Sequence, residues 1–232
     1  MKYKNEKVLI IFVKNPVRGK VKTRLAKTIG EEKALAVYND LLRYTHNLTR
    51  NIDCYKVVFY SDFIDNTDLW EESVFHKEIQ SGKDLGERMK NSFRLMFGYG
   101  FKKVVIIGSD CLEISSLIID EAFRKLDDTE VVIGPASDGG YYLMGLKQIH
   151  DSLFDNKSWS TSSLLNETIE ELTREGVGFS LLPELSDIDE EKDLNHKGPD
   201  RQDNRGIISM SALNNEKLHN LTTEDYDLPE DL

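Results

Sequence analysis

An α/β domain built on a mainly parallel sheet is what the sequence predicts, and three features carry the expectation. Short, partly β-branched apolar segments alternate with longer stretches whose apolar residues recur every three or four positions, the pattern of strand–helix–strand units. At 232 residues the chain can bury a full hydrophobic core. Its 39% hydrophobic and 31% charged residues are the balance of a globular domain rather than of a membrane-embedded or wholly disordered chain.

The first element, Lys7–Val13, is a short apolar run ending in a polar loop with Pro16 and Gly19, and it reads as a central buried strand. Residues 31–51 place Ala34, Val37, Tyr38, Leu41, Leu42, Thr45 and Leu48 on one helical face, with Gly30 just ahead. Strands follow at 55–60 and 74–79. Asp84 stands at an N-cap position with Glu87 three residues on, and Leu85, Met89, Phe93 and Met96 form a helical stripe stopped by Gly98 and Gly100. Residues 103–108 are the clearest strand; Ser115 or Ser116 then caps a helix reaching Leu126, and 130–133 is another strand. Residues 141–146 form a strand that follows too soon for a helical crossover, which predicts a local antiparallel pairing. A helix over 161–175, a strand over 177–182 and a helical turn over 190–195 complete the domain, assigned to residues 1–195. Residues 196–232 lack a long periodic stripe, and the last nine hold five acids and no base, so this tail reads as mobile or docked on a partner or sister chain.

Charge is unevenly placed. The chain nets −11, yet residues 1–50 carry twelve bases against four acids, so the other 182 residues hold −19. Six bases (Lys14, Arg18, Lys20, Lys22, Arg24 and Lys27) lie together with no acid among them. A long nucleic acid would be repelled by the rest of the molecule, so a small, compact anion is the expected partner. The longest apolar run, Val8 to Val13, is far shorter than the roughly 20 residues of a membrane span. The polar, lysine-rich start carries no leader pattern. Two cysteines, Cys54 and Cys111, build neither a disulfide framework nor a zinc site, and a cytoplasmic protein is expected. The five histidines form no zinc array, and no G-x-S-x-G elbow occurs.

Four segments can carry chemistry. The basic stretch Lys14-Asn15-Pro16-Val17-Arg18-Gly19-Lys20-Val21-Lys22-Thr23-Arg24-Leu25 follows the first strand, where open parallel sheets bind ligands, and clustered Arg and Lys suit a diphosphate. A solvated basic turn is the simpler reading. It matches neither a Walker A loop nor a G-x-G-x-x-G loop. Gly108-Ser109-Asp110-Cys111 ends the clearest strand; Asp110 is either a ligand for Mg²⁺ or Mn²⁺ or a turn-closing cap. In Gly134-Pro135-Ala136-Ser137-Asp138-Gly139-Gly140-Tyr141-Tyr142-Leu143, Gly139 and Gly140 let a ligand approach the backbone and Asp138 can meet a sugar hydroxyl or the metal, although a tight turn needs the same residues. In Asp187-Ile188-Asp189, alternate carboxylates either complete the metal sphere or favour the helical turn that follows. Trp159, at the head of Trp159-Ser160-Thr161, is a platform for a sugar face or base if it stands at the crevice rim rather than in the core.

These motifs, with Asp84-Leu85-Gly86-Glu87-Arg88-Met89, occur in the order found in the DUF2064 family, which the chain resembles over residues 7–195. That family is GT-A-like, with some members labelled arsenosugar-biosynthesis glycosyltransferases, and Lys22-Thr23-Arg24-Leu25 also resembles the start of phospholactate guanylyltransferases. The resemblance implies a three-layer α/β/α sandwich of the nucleotide-diphospho-sugar transferase type and a metal-assisted reaction at a nucleotide diphosphate. It implies that Asp110, with Asp187 or Asp189, holds Mg²⁺ or Mn²⁺, and that Lys14, Arg18, Lys22 and Arg24, within a loop that also holds Gly19 and Lys20, bind phosphates. Asp84, Gly86 and Arg88 would line the nucleotide, and Asp138, Gly139, Gly140 and Tyr141 the acceptor. Leu112 stands where the family usually has proline, which loosens that turn but keeps the carboxylate.

Three functions are compatible with these residues. The first is a glycosyltransferase using a nucleotide-sugar donor and a small-molecule acceptor, with Asp110, Lys22 and Arg24 stabilising the departing diphosphate. The second is a nucleotidyltransferase joining an NTP to a small phosphorylated substrate with release of pyrophosphate, since both transition states load charge on phosphate. The third is a non-catalytic nucleotide-sugar-binding module. A homo-oligomer is compatible with each.

Overall fold

The computed structural model describes residues 6–195. The expected acidic tail, residues 196–232, lies outside the described residues.

Twelve principal elements follow in order: β1 (Lys7–Val13), α1 (Thr23–Ile29), α2 (Glu31–Thr49), β2 (Tyr55–Tyr60), β3 (His76–Ile79), α3 (Leu85–Gly98), β4 (Lys103–Ile107), α4 (Ser116–Asp128), β5 (Val131–Pro135), β6 (Tyr141–Leu146), α5 (Leu164–Glu175) and β7 (Phe179–Leu181). The strands form one sheet in the order β3-β2-β1-β4-β6-β5-β7. The pairs β2–β3, β1–β2, β1–β4 and β5–β7 are parallel, and only β6 runs against its neighbours. The expected antiparallel excursion is therefore β6, because the five residues after β5 allow a turn but no crossover helix.

Alternation along the strands sorts the core into two layers. In β1, Leu9, Ile11 and Val13 pack on one face with Leu25, Val37, Leu41, Ala122 and Phe123, so α1, α2 and α4 cover that side. Val8 and Ile10 point to the other face, against Met89, Phe93, Met96 and Leu172 of α3 and α5. This is the three-layer α/β/α sandwich. Strands covered on both faces read as continuous apolar runs, which is why β1 and β4 were plain in sequence.

The chain lays down β1, β2 and β3 toward one edge and then returns to place β4 on the other side of β1. Connections therefore diverge between the carboxyl ends of β1 and β4, which opens a crevice at that point. Two elements depart from the sequence expectation. Residues 23–25, expected in a loop, open the short helix α1, which buries only Leu25, has no side-chain N-cap bond and is separated from α2 by Gly30 at φ 86°. A single buried residue leaves too weak a stripe to read. A 3₁₀ turn at Asp151–Leu153 was likewise not anticipated.

Candidate active site

The crevice holds a cavity of about 360 Å³. Its apolar wall comes from Phe12 at the end of β1, Leu85 and Met89 of α3, Met144 of β6, and Tyr141 with Trp159; its polar wall comes from Arg24, Asp138, Asp187, Asp189 and Ser160 to Ser162.

Close packing holds the aromatic wall. Trp159 stands edge-on to Tyr141, with ring centroids 6.3 Å apart and planes at 84°. A Cβ on Gly86 would lie 2.3 Å from the Trp159 Nε1, so only glycine lets α3 approach the indole this closely. Gly139, at φ 89°, faces the backbone of Ser162, 2.2 Å from where its Cβ would stand, and accepts the Leu165 N–H at 2.9 Å. Asp138 Oδ1 accepts the Gly140 N–H at 2.9 Å, an Asx turn that fixes the β5–β6 connection and leaves the carboxylate on the cavity wall.

Beside this cavity lies a charged knot. The segment after β7 bridges to β5, with Leu185 N–H donating to the Pro135 carbonyl at 3.0 Å and Ile188 N–H donating to the Asp110 carbonyl at 3.0 Å. Ser186 N–H donates to Glu113 Oε2 at 2.8 Å. Asp187 and Asp189 are thus delivered to Asp110 across nearly eighty residues of chain. Lys22, in the left-handed region at φ 47° and ψ 45°, sends its ammonium into the knot. It donates to the Ile188 carbonyl at 2.6 Å and lies 2.9 Å from Asp110 Oδ1 and 3.4 Å from Asp189 Oδ1, with its side chain only 3% exposed. Arg24 reaches Asp189 Oδ2 at 3.5 Å from the solvent side.

Burial alone would lower the Lys22 pKa, but the charges of Asp110 and Asp189 outweigh it and the net movement is upward, so the ammonium stays charged. Asp187 moves the other way for a carboxyl. Burial first, and then the Asp110 charge, push it up to about 7. The knot is therefore short of positive charge.

The DUF2064 family model, whose members are described as uncharacterised proteins conserved in bacteria, matches residues 44–161. The chain belongs to the DUF2064 family. Among solved structures, a protein from Desulfovibrio desulfuricans G20 assigned as a nucleotide-diphospho-sugar transferase is 29% identical, with a TM-score of 0.74 over 80% of this chain and 83% of that one. The 4-diphosphocytidyl-2C-methyl-D-erythritol synthase of Anaerococcus prevotii DSM 20548 is 10% identical, with a TM-score of 0.51 over 81% of this chain and 92% of that one. The bifunctional IspDF of Campylobacter jejuni is 12% identical, with a TM-score of 0.51 over 81% of this chain and 53% of its own. No functionally curated protein matches in sequence. The fold of this DUF2064 chain is that of the nucleotide-diphospho-sugar transferases.

Within that fold, Lys22, Arg24, Asp110, Asp187 and Asp189 come together, and Asp138, Gly140, Tyr141 and Trp159 share the adjoining wall. Gly86 and Gly139 stand behind Trp159 and Ser162. Other expected residues are placed elsewhere. Arg18 Nε pairs with Glu31 at 3.3 Å in an exposed position, and Gly19 and Lys20 are exposed in the turn that precedes Lys22. Lys14 lines a second cavity of about 250 Å³ toward Tyr60 and Trp70. Asp84 caps α3, accepting the Glu87 N–H at 2.9 Å, and Arg88 donates to the Gly82 carbonyl at 3.2 Å, so both shape the β3–α3 connection. The expected trio of metal carboxylates is not closed on itself. Among the described residues no three His, Cys, Asp or Glu side chains form a metal cluster, and the Lys22 ammonium lies between Asp110 and Asp189.

Two positioning residues escaped the sequence reading. Tyr38, read only as part of a helical stripe, accepts the Lys14 N–H at 2.8 Å, donates to the Lys14 carbonyl at 3.1 Å and meets Ser109 Oγ at 3.3 Å, joining the loops after β1 and β4. Asn15 is buried and clasps the loop after β2, its Oδ1 accepting from Asp62 N at 3.0 Å and Phe63 N at 3.2 Å and its Nδ2 donating to the Phe63 carbonyl at 2.9 Å. An asparagine before proline at a strand end was its only visible signal.

Proposed function

We propose that this chain is a metal-dependent glycosyltransferase that takes a nucleotide-diphosphate sugar and a small-molecule acceptor. The observation that carries the reading is the cavity itself: an aromatic and aliphatic wall of Trp159, Tyr141, Phe12 and Leu85 facing a rim of Asp138, Asp187 and Asp189 with the cation Arg24. Such a wall suits the C–H face of a sugar and such a rim suits its hydroxyls. The 29% identity to the Desulfovibrio protein supports a nucleotide-sugar donor.

The donor set also fits a divalent ion. A cation, the Lys22 ammonium, is already held by carboxylate and carbonyl oxygens, and Asp187 remains starved of positive charge beside it. Asp110, Asp187 and Asp189 would hold Mg²⁺ or Mn²⁺, which when bound neutralises charge on a departing diphosphate. Arg24 and Lys22 add positive charge beside that diphosphate. Asp138 receives the acceptor hydroxyl proton as its oxygen bonds to the anomeric carbon. The bond from that carbon to the diphosphate breaks, and its electron pair leaves on the phosphate oxygen.

The test is a thermal-shift panel of NTPs, NDPs and NDP-sugars with Mn²⁺, Mg²⁺ or chelator, followed by product analysis with the stabilising ligand. Metal-dependent stabilisation by one NDP and its sugars, with NDP released on transfer and turnover cut about a hundredfold or more in Asp110→Asn, is the expected result. Pyrophosphate release from an NTP would replace the reading with nucleotidyl transfer, and ligand binding indifferent to metal and to Asp110→Asn would replace it with a binding module.

A further inference from the structure

Lys22 is held where it is at two costs. It is a non-glycine residue in the left-handed region, and its ammonium is withdrawn from water. Neither cost is offset by local structure, since Lys22 precedes α1 without making a side-chain cap bond. What offsets them is the oxygen cage. Three donors of one ammonium face three oxygens: the Ile188 carbonyl at 2.6 Å, Asp110 Oδ1 at 2.9 Å and Asp189 Oδ1 at 3.4 Å. Two carboxylates and a backbone carbonyl are the hard-oxygen set that Mg²⁺ and Mn²⁺ take. The Asp110 Oδ1 is buried, and its partner is the Lys22 ammonium at 2.9 Å.

We propose that Lys22 is an internal cation: it occupies the metal-binding oxygens in the free protein and yields them to a divalent ion only when a diphosphate is present to receive its ammonium. This rests on the metal-dependent reading above and adds an order of events to it. The four-carbon stem lets the charge leave the cage without moving α1, and the turn that precedes it, with Gly19 at φ 76°, lies on the same basic loop as Arg18 and Lys20. Ion and diphosphate are then coupled ligands, each raising the affinity for the other. Free ion alone has to displace a charge that has nowhere better to go. A consequence is that the carboxylates stay assembled without metal, instead of repelling one another apart.

The experiment measures Mn²⁺ binding to the full chain, without nucleotide, by electron paramagnetic resonance, in wild type and Lys22→Met, with circular dichroism melts to establish that both fold. Methionine keeps the stem and removes the charge. Lys22→Met is expected to bind Mn²⁺ at least about tenfold more tightly, and the added Asp110→Asn substitution is expected to abolish the gain. In wild type, which needs no variant to fold, the protected Lys22 ammonium resonance is expected to persist with Mg²⁺ alone and to shift with Mg²⁺ and pyrophosphate together. Equal, tight Mn²⁺ binding by both proteins, or an ammonium resonance displaced by Mg²⁺ alone, overturns the internal cation and leaves the metal-dependent reading standing. No binding by either protein at millimolar Mn²⁺, and no response to Mg²⁺ with pyrophosphate, overturns both.

Discussion

Gly86 of α3 lies so close to Trp159 that a Cβ placed on it would stand 2.3 Å from the indole nitrogen and 2.4 Å from its neighbouring ring carbon. The aromatic wall of the crevice is thus set by the absence of a side chain on the helix opposite. Gly86→Ala is expected to push the indole outward, because a partly buried side chain gives way before a helix backbone does. The stability loss stays at about 1 kcal/mol, while tryptophan emission moves to longer wavelength and ligand-induced stabilisation falls. Trp70 is 1% exposed and reports little of this movement. Gly98→Ala in the same helix, with no atom near the added methyl, is the control and is neutral or stabilising by up to about 1 kcal/mol. An unchanged emission spectrum in Gly86→Ala would show that the wall is not built this way.

Tyr38 joins the two loops that flank the crevice, through Lys14 on one side and Ser109 on the other. Burial, and then the Asp110 charge, push its phenol well above the ordinary range, so it remains a neutral donor. Tyr38→Phe leaves the part-buried Lys14 N–H without its acceptor and is expected to cost about 1 kcal/mol in denaturant unfolding. Hydrogen exchange should quicken at Lys14 and around Ser109, and not at the far end of β1.

Asp84 and its cap separate two roles the sequence could not. Asp84→Ala removes the acceptor of the Glu87 N–H and is expected to lower stability by about 1 kcal/mol. Asparagine caps as well as aspartate, so Asp84→Asn keeps both the melting temperature and the ligand-induced shift if capping is its work. A variant that keeps its melting temperature but loses the shift would instead place the carboxylate against ligand.

Asp187 makes the metal-free protein sensitive to alkali. Its folded pKa of about 7 stands above its unfolded one, so the fold prefers the protonated form. The stability it contributes is fully present below the unfolded value, about 3.9, and is lost as pH rises through 7. With chelator present, Asp187→Asn is expected to match wild type near pH 4 and to exceed it by about 1–2 kcal/mol at pH 8. Parallel pH curves for the two proteins would refute the assignment. Divalent-ion affinity runs oppositely, rising as Asp187 ionises.

The sheet was legible because β1 and β4 are covered on both faces, and a strand so placed has to be apolar at every position. The helix α3 was legible because its cap and stripe lie within one turn-by-turn stretch, from Asp84 to Met96. The helix α1 was not, since a seven-residue helix burying Leu25 alone is held by its neighbours rather than by its own residues. Among the site residues, Asp110 and the Asp138-Gly139-Gly140 turn were marked by strand ends and turn chemistry, which are local. Tyr38 and Asn15 were not marked, because their contacts lie 24 to 71 and 46 to 48 residues away.

By itself the sequence determined the strand–helix alternation, the caps, the concentration of positive charge after β1 and the order of the carboxylate motifs, because each depends on residues within a few positions of one another. Which charges meet was decided only by the tertiary structure. Lys22, 166 residues from the Ile188 carbonyl it binds, was one of six clustered bases until the segment after β7 returned along β5 and set Asp187 and Asp189 beside Asp110. Six clustered bases say that an anion is wanted there. Only the fold says that one of them already has its anions, since a pair of charges is worth something at 3 Å and almost nothing, in water and salt, at the distances an unfolded chain keeps between them.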